Sequence, residues 1–217
     1  MLARIQILAL FCILFCSCRD QDTSKYKVQG LVTSNVDGSP CVGFDIEFEQ
    51  QIIEAGSFNG FYETAATTTT DAYGFYSLEF PRKSAIYFRI NVEHDGWFPI
   101  VNEINPEDLT PDVTFDYNVI TTPRADLEIK VMNVPPAYVS DKLRVRLLKT
   151  FEEYSTCDAE WRVFNGATID STWACTIPGD VWMPYLFIDQ TDPENEVTTI
   201  DSIFCDSFET TTINVVY

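Results

Sequence analysis

Basic residues are scarce in this chain. Its 217 residues include 14 Lys and Arg against 33 Asp and Glu, a formal net charge of −19. Such a balance disfavours nucleic acid as a partner, because phosphate binding needs a basic surface. Histidine occurs once, at position 94. A nucleophile relay needs a histidine between the nucleophile and an orienting acid. His94 instead sits in the turn-like stretch Glu93-His94-Asp95-Gly96, so no catalytic role is expected of it. One histidine, with no C-x-x-C spacing, also leaves no zinc site. The calcium-loop pattern D-x-D-x-D-G is missing. No cofactor and no metal are therefore expected. Helical periodicity is lacking as well, and beyond the N-terminus no apolar run is long enough to span a bilayer. Threonines, aromatics and β-branched residues dominate what remains, and these favour strands.

The first 18 residues read MLARIQILALFCILFCSC. Arg4 is followed by an apolar stretch, Ile7 to Phe15, of signal-peptide length. The ending Phe15-Cys16-Ser17-Cys18 resembles a bacterial lipoprotein signal, with small Ser17 before the cysteine that receives lipid. That resemblance implies a signal peptide over 1–17, cleavage before Cys18, and acyl chains on Cys18. Several chains, at about 0.8 kcal/mol per buried CH₂, hold a domain firmly to a membrane. Polar residues 18–25 would form the lipidated tether. The expected location is the outer membrane, on its periplasmic or surface-exposed side. Removing Arg4 with the signal leaves 13 basic and 33 acidic residues, a net charge of −20.

The rest of the chain reads as an all-β protein of two tandem antiparallel β-sandwiches, over 26–122 and 123–217. In the first half, Val42, Phe44, Ile46 and Phe48 alternate with Gly43, Asp45, Glu47 and Glu49. That period of two buries one face and wets the other. Further strands are expected over 26–32, 75–80, 85–92, 97–104 and 113–120. Beyond Pro123, seven short strand patterns follow, separated by Pro, Gly, Asn and Asp. The halves also look alike. Aligning Pro81 with Pro178 matches Tyr76, Leu78 and Phe80 to Trp173, Cys175 and Ile177. It also places Tyr87-Phe88-Arg89-Ile90 beside Tyr185-Leu186-Phe187-Ile188 after one inserted residue. A closing match sets Phe115, Tyr117 and Val119 against Ile213, Val215 and Tyr217. Such internal similarity suggests a repeat.

Four short motifs occur in order in the first half. They are Gly30-Leu31-Val32; Gly38-Ser39-Pro40-Cys41-Val42-Gly43; Thr69-Thr70-Asp71-Ala72-Tyr73-Gly74-Phe75-Tyr76; and Gly96-Trp97. Together they resemble the carboxypeptidase regulatory-like domain, a transthyretin-like sandwich. The resemblance covers roughly residues 26–104. It departs in a long insertion, residues 50–66, and in Cys41, where an aliphatic residue is usual. What it implies is a non-catalytic spacer or interaction module.

Asp71 and Gly74 have a plain physical role: Asp bonds the backbone two residues on, and Gly tolerates a positive φ. A structural hairpin is expected there. The acidic stretch 189–196 reads as a solvated loop, with Ca²⁺ as the alternative. Among the aromatics, Tyr62, Tyr73 and Trp182 are the candidates for ligand contact. Trp161 and Trp173 share parity with Val163 and Ile177 and are expected in the core. Parity turns Asn118, Asn214 and Lys130 outward, against an internal Lys–Asn crosslink. Export permits disulfides; a bridge among Cys157, Cys175 and Cys205 is expected, with the pair left open. The overall expectation is a lipid-anchored binding or assembly module with a protein or glycan partner. The alternatives are a carbohydrate-binding accessory of glycan uptake and, less favoured, a hydrolase.

Overall fold

The structure, a computed structural model, describes residues 24–217 apart from 55, 59, 152, 153 and 193. Cys18 and the rest of the lipoprotein-like segment lie outside the described residues. The chain is an all-β protein of two tandem sandwiches. Strands β1 (Lys25–Ser34), β2 (Asp45–Glu54), β3 (Ser57–Phe58), β4 (Glu63–Thr69), β5 (Phe75–Pro81), β6 (Ala85–Glu93), β7 (Ile100–Ile104), β8 (Thr114–Asp116) and β9 (Val119–Thr121) build the first. Strands β10 (Arg124–Met132), β11 (Lys142–Leu147), β12 (Arg162–Asn165), β13 (Asp170–Pro178), β14 (Val181–Asp189), β15 (Val197–Cys205) and β16 (Thr210–Val216) build the second.

Each sandwich has two sheets. In the first, β5-β1-β8, with β9 also on β1, faces β3-β2-β6-β7, with β4 also on β2. In the second, β13-β10-β16 faces β12-β11-β14-β15. Alternation sends Ile46, Phe48, Phe88, Ile90 and Val28 inward in the first core, and Leu127, Ile129, Leu143, Val145 and Ile177 in the second. The sheets are not purely antiparallel. β1 runs parallel to β8 and β9, and β10 runs parallel to β16. A parallel pair needs a crossover, and here the chain supplies it by passing through the opposite sheet.

The repeat is real in its first ladder. Val28 opposes Leu78 and Gly30 opposes Tyr76, just as Leu127 opposes Cys175 and Ile129 opposes Trp173. The other two alignments need correction. Val119 pairs with Val32 and Val215 with Val131, so Val119 matches Val215 rather than Tyr217. That two-residue slip preserves the face. Tyr87 is exposed, whereas Tyr185 packs against the second core. The one-residue error there reverses every side chain, as a period of two requires.

Two further readings change. Residues 50–66 are largely strand: β2 continues through buried Gln50 and Ile52 to Glu54, and β4 begins at Glu63. The Asp71–Gly74 turn is not a hairpin. β4 pairs with β2 while β5 pairs with β1, so the turn carries the chain between sheets. Its chemistry is as expected: Asp71 Oδ1 accepts from the amides of Tyr73 (2.8 Å) and Phe75 (2.9 Å). Gly74 has φ 73°, and a Cβ there would lie 2.6 Å from the Val32 carbonyl oxygen.

Only Thr122 and Pro123 separate the sandwiches. The link is bonded on both sides. Phe98 N donates to Thr122 O (2.9 Å) and Arg124 N to Gly96 O (2.8 Å); from the second sandwich, Gly179 N donates to Pro123 O (2.8 Å) and Phe208 N to Arg124 O (2.7 Å). Trp97 packs on Phe208 with ring centroids 5.4 Å apart.

Candidate interaction surface

Antiparallel sheets of a sandwich alternate apolar inward and polar outward. The β4-β2-β6-β7 sheet largely follows this. Its outer positions include Asp45, Glu47, Glu49, Arg89, Asn91, Glu93 and Glu103, with exposed Tyr87 and Val101 among them. Arg89 pairs with Glu49, whose Oε2 also accepts from Asn91 Nδ2 at 2.6 Å. Hydrogen bonding from Arg89 holds the Glu49 carboxyl below the usual carboxylate value. Arg89 also covers the Tyr62 ring, 4.0 Å from its centroid, and Tyr62 Oη donates to Glu103 at 3.3 Å. Asp45, Glu47, Asn91 and Glu93 line a shallow groove of about 550 Å³ with Thr67–Thr69.

The corresponding sheet of the second sandwich breaks the pattern. Inward go Leu143, Val145, Leu147, Met183, Tyr185, Phe187, Ile203 and Cys205. The register places Trp182 opposite Phe204, Pro184 opposite Ser202, Leu186 opposite Ile200 and Ile188 opposite Thr198 on the other face. Val163 and Arg144 oppose each other there too. Trp182 is 59% exposed and Ile200 67%. Strand β14 is therefore apolar on both faces, and among the described residues only its inner face is covered. No acid occupies these outer positions, although the chain carries 33. The cations on the face are Lys142, Arg144 and Arg146, and the two arginines hold their guanidinium carbons over the Trp161 ring, 4.3 and 5.3 Å from its centroid. Neither arginine is in an ion pair among the described residues.

Trp161 was expected in the core and is not. It shares its face with Val163, as parity said, but Val163 opposes Arg144 and points outward. Trp173 does pack against the second core, stacked on Phe164 with centroids 6.0 Å apart.

No family model matches the sequence, and no curated protein matches it. Among solved structures, the chain is similar to the shaft pilin SpaA from Lactobacillus rhamnosus GG, at 9% identity and TM-score 0.36, over 88% of this chain and 97% of that one. A streptococcal ancillary pilin is similar at 14% identity and TM-score 0.38, over 90% and 63%. The 3-chlorocatechol 1,2-dioxygenase from Rhodococcus opacus 1CP is similar at 12% identity and TM-score 0.37. There the match spans 48% of this chain and 61% of the enzyme. Likenesses this distant transfer no activity or partner.

The three aromatics named from the sequence do not form one platform. Tyr62 precedes β4 and lies under Arg89, half-buried. Tyr73 is 79% exposed in the turn beyond the other end of β4. Seven strand residues at about 3.4 Å each put about 20 Å between them. Trp182 stands in the other sandwich. His94 is exposed, its ring stacked on Phe44 with centroids 4.6 Å apart. It lies in a junction cleft of about 470 Å³ with Asp45, Glu93, Asp95, Trp97 and Arg124.

In the 189–196 loop, Asp192 accepts from Glu194 N (3.0 Å) and Asn195 Nδ2 (2.7 Å), and Asp189 from Thr191 N (2.9 Å). These carboxylates are engaged by their own loop. Among the described residues no cluster of three or more metal-ligating side chains occurs. The disulfide is Cys157–Cys175, with Cα atoms 5.1 Å apart. Cys205, a candidate for that bridge, is a free buried thiol, as is Cys41.

Proposed function

We propose that this protein is a non-catalytic, lipid-anchored binding and assembly module of the bacterial cell envelope. Its contact surface is the outer face of the β12-β11-β14-β15 sheet. The observation that carries this reading is the double-sided apolar character of β14 at the centre of that sheet. An exposed apolar patch rimmed by polar groups marks a contact site in a protein that must otherwise stay soluble. The anchor is Cys18, supported by the lipoprotein-like ending of residues 1–18. The first sandwich serves as a regulatory-like spacer, supported by its four ordered motifs. The dispersal of Tyr62, Tyr73 and Trp182 speaks against a carbohydrate platform.

A photo-crosslinking amino acid at Ile200, in cells displaying the full chain, tests the reading. Adducts from position 200, with none from Thr172 on the opposite sheet, are expected. Equal yields from both positions, or none from either, would overturn it.

A further inference from the structure

Two corresponding sheets in the two sandwiches carry opposite chemistry, and this points to the partner. On the first, Asp45, Glu47 and Glu93 surround the groove between β4, β2 and β6, and none is in an ion pair among the described residues. On the second, Arg144 and Arg146 are likewise unpaired and are held over Trp161. A cation–π contact leaves guanidinium donors unbonded, although the Arg146 Nε is itself buried. Arginines opposite Ile188 and Leu186, on the same sheet face as exposed Trp182 and Ile200, suit carboxylates presented on a flat sheet, and this chain itself presents such a sheet. We infer that the occupant is a second copy of this protein: the acidic face of one first sandwich docks on the Arg-Trp face of the next copy's second sandwich. This inference rests on the contact surface proposed above.

Such a contact joins different surfaces of identical chains. It is heterologous, and it extends into a row unless the rotation closes a ring. Hydrogen bonds from both sandwiches to residues 122–124 tie the two docking faces to one linker.

The contact is weak in solution. Four strands of up to nine residues cover roughly 15 Å by 30 Å, less than the about 800 Å² per partner of a standard interface. Net charge opposes it further. Confinement to a membrane raises effective concentration without any new contact, which is where an anchored chain would assemble.

Sedimentation of the soluble chain, begun after Cys18, in 0.15 M salt from 10 μM to 1 mM provides the test. The weight-average mass is expected to rise with concentration past that of a dimer. The R144E/R146E variant and the E47K/E93K variant should each remain monomeric. Mixed together they should associate, since each then offers the face the other lacks. That rescue also shows that both variants are folded. A wild-type chain monomeric to 1 mM overturns the inference, as does association unaffected by R144E/R146E, or a mixture that stays monomeric. If the chain stays monomeric while the Ile200 crosslink captures a different protein, self-docking falls and the contact surface stands.

Discussion

Trp182 stands edge-on to Phe204 across the β14–β15 ladder, with ring centroids 5.4 Å apart, on a sheet face that none of the described residues covers. Their mutual contact does not require water to be near them; their exposure does. Folding gains little from such a position, because its apolar area stays wet. Trp182→Lys and Ile200→Lys should therefore leave the urea midpoint almost unchanged, within about 0.5 kcal/mol for each. Binding of the dye ANS to the folded protein should fall in both. Loss of more than about 2 kcal/mol would mean that these residues are core.

Gly30 lies beneath the carbonyl of Tyr117, where a Cβ would come within 1.8 Å of the oxygen. The same oxygen accepts from buried Tyr76 Oη at 2.6 Å, and Asn118 Oδ1 accepts from Leu31 N at 2.9 Å. These contacts bridge the gap between β8 and β9. Tyr76→Phe should cost about 1 kcal/mol, one hydrogen bond's worth. Gly30→Ala should cost several times more, because backbone must move. Denaturant titration checks the order; equal costs would contradict it.

The Glu49 carboxylate is nearly buried beside Arg89, with side-chain exposures of 11% and 31%. Its folded pKa is lowered, chiefly by the Arg89 hydrogen bond. The contribution is complete above the unfolded value of about 4.3 and disappears as pH falls through the lower folded value. Glu49→Gln should cost about 2 kcal/mol at pH 7. The gap from wild type should close as pH falls through the lowered folded value. A pH-independent gap would assign the effect to packing.

The Cys157–Cys175 bridge closes a loop over a sequence separation of 18. By loop-closure entropy its removal should cost about 3 kcal/mol, read from Cys157→Ala/Cys175→Ala. Cys41 and Cys205 should stay unreactive in the folded chain. Burial pushes the Cys41 thiol up to about 11 and raises that of Cys205, and it is the thiolate that reacts. Two thiols should titrate with DTNB after unfolding the chain begun beyond Cys18. Four would mean that the bridge does not form.

Strand alternation made most of this fold legible, since period two assigns residues to faces locally. It cannot say which face is covered. Parity puts Trp161 and Val163 on one face, but the sheet that decides which face is covered is distant in sequence. Parity is equally blind to a slip of two residues: Val119 and Tyr217 have matching parity, but the ladders match Val119 to Val215. Cys157 sits outside any strand, so parity could not rank it against Cys205. The contact surface carries no motif. Its one sequence signal was available in VWMPYLFI, a run apolar at odd and even positions alike, which marks a strand buried on both faces.

Hydroxyl-radical footprinting of Trp182, on purified protein and on intact cells bearing the full chain, tests the central claim most directly. Met132 on the opposite sheet, 45% exposed, serves as reference. The account predicts that Trp182 is oxidised in the purified chain at dilute concentration and protected in the envelope, while Met132 reacts in both. Equal oxidation of Trp182 in both settings would contradict it.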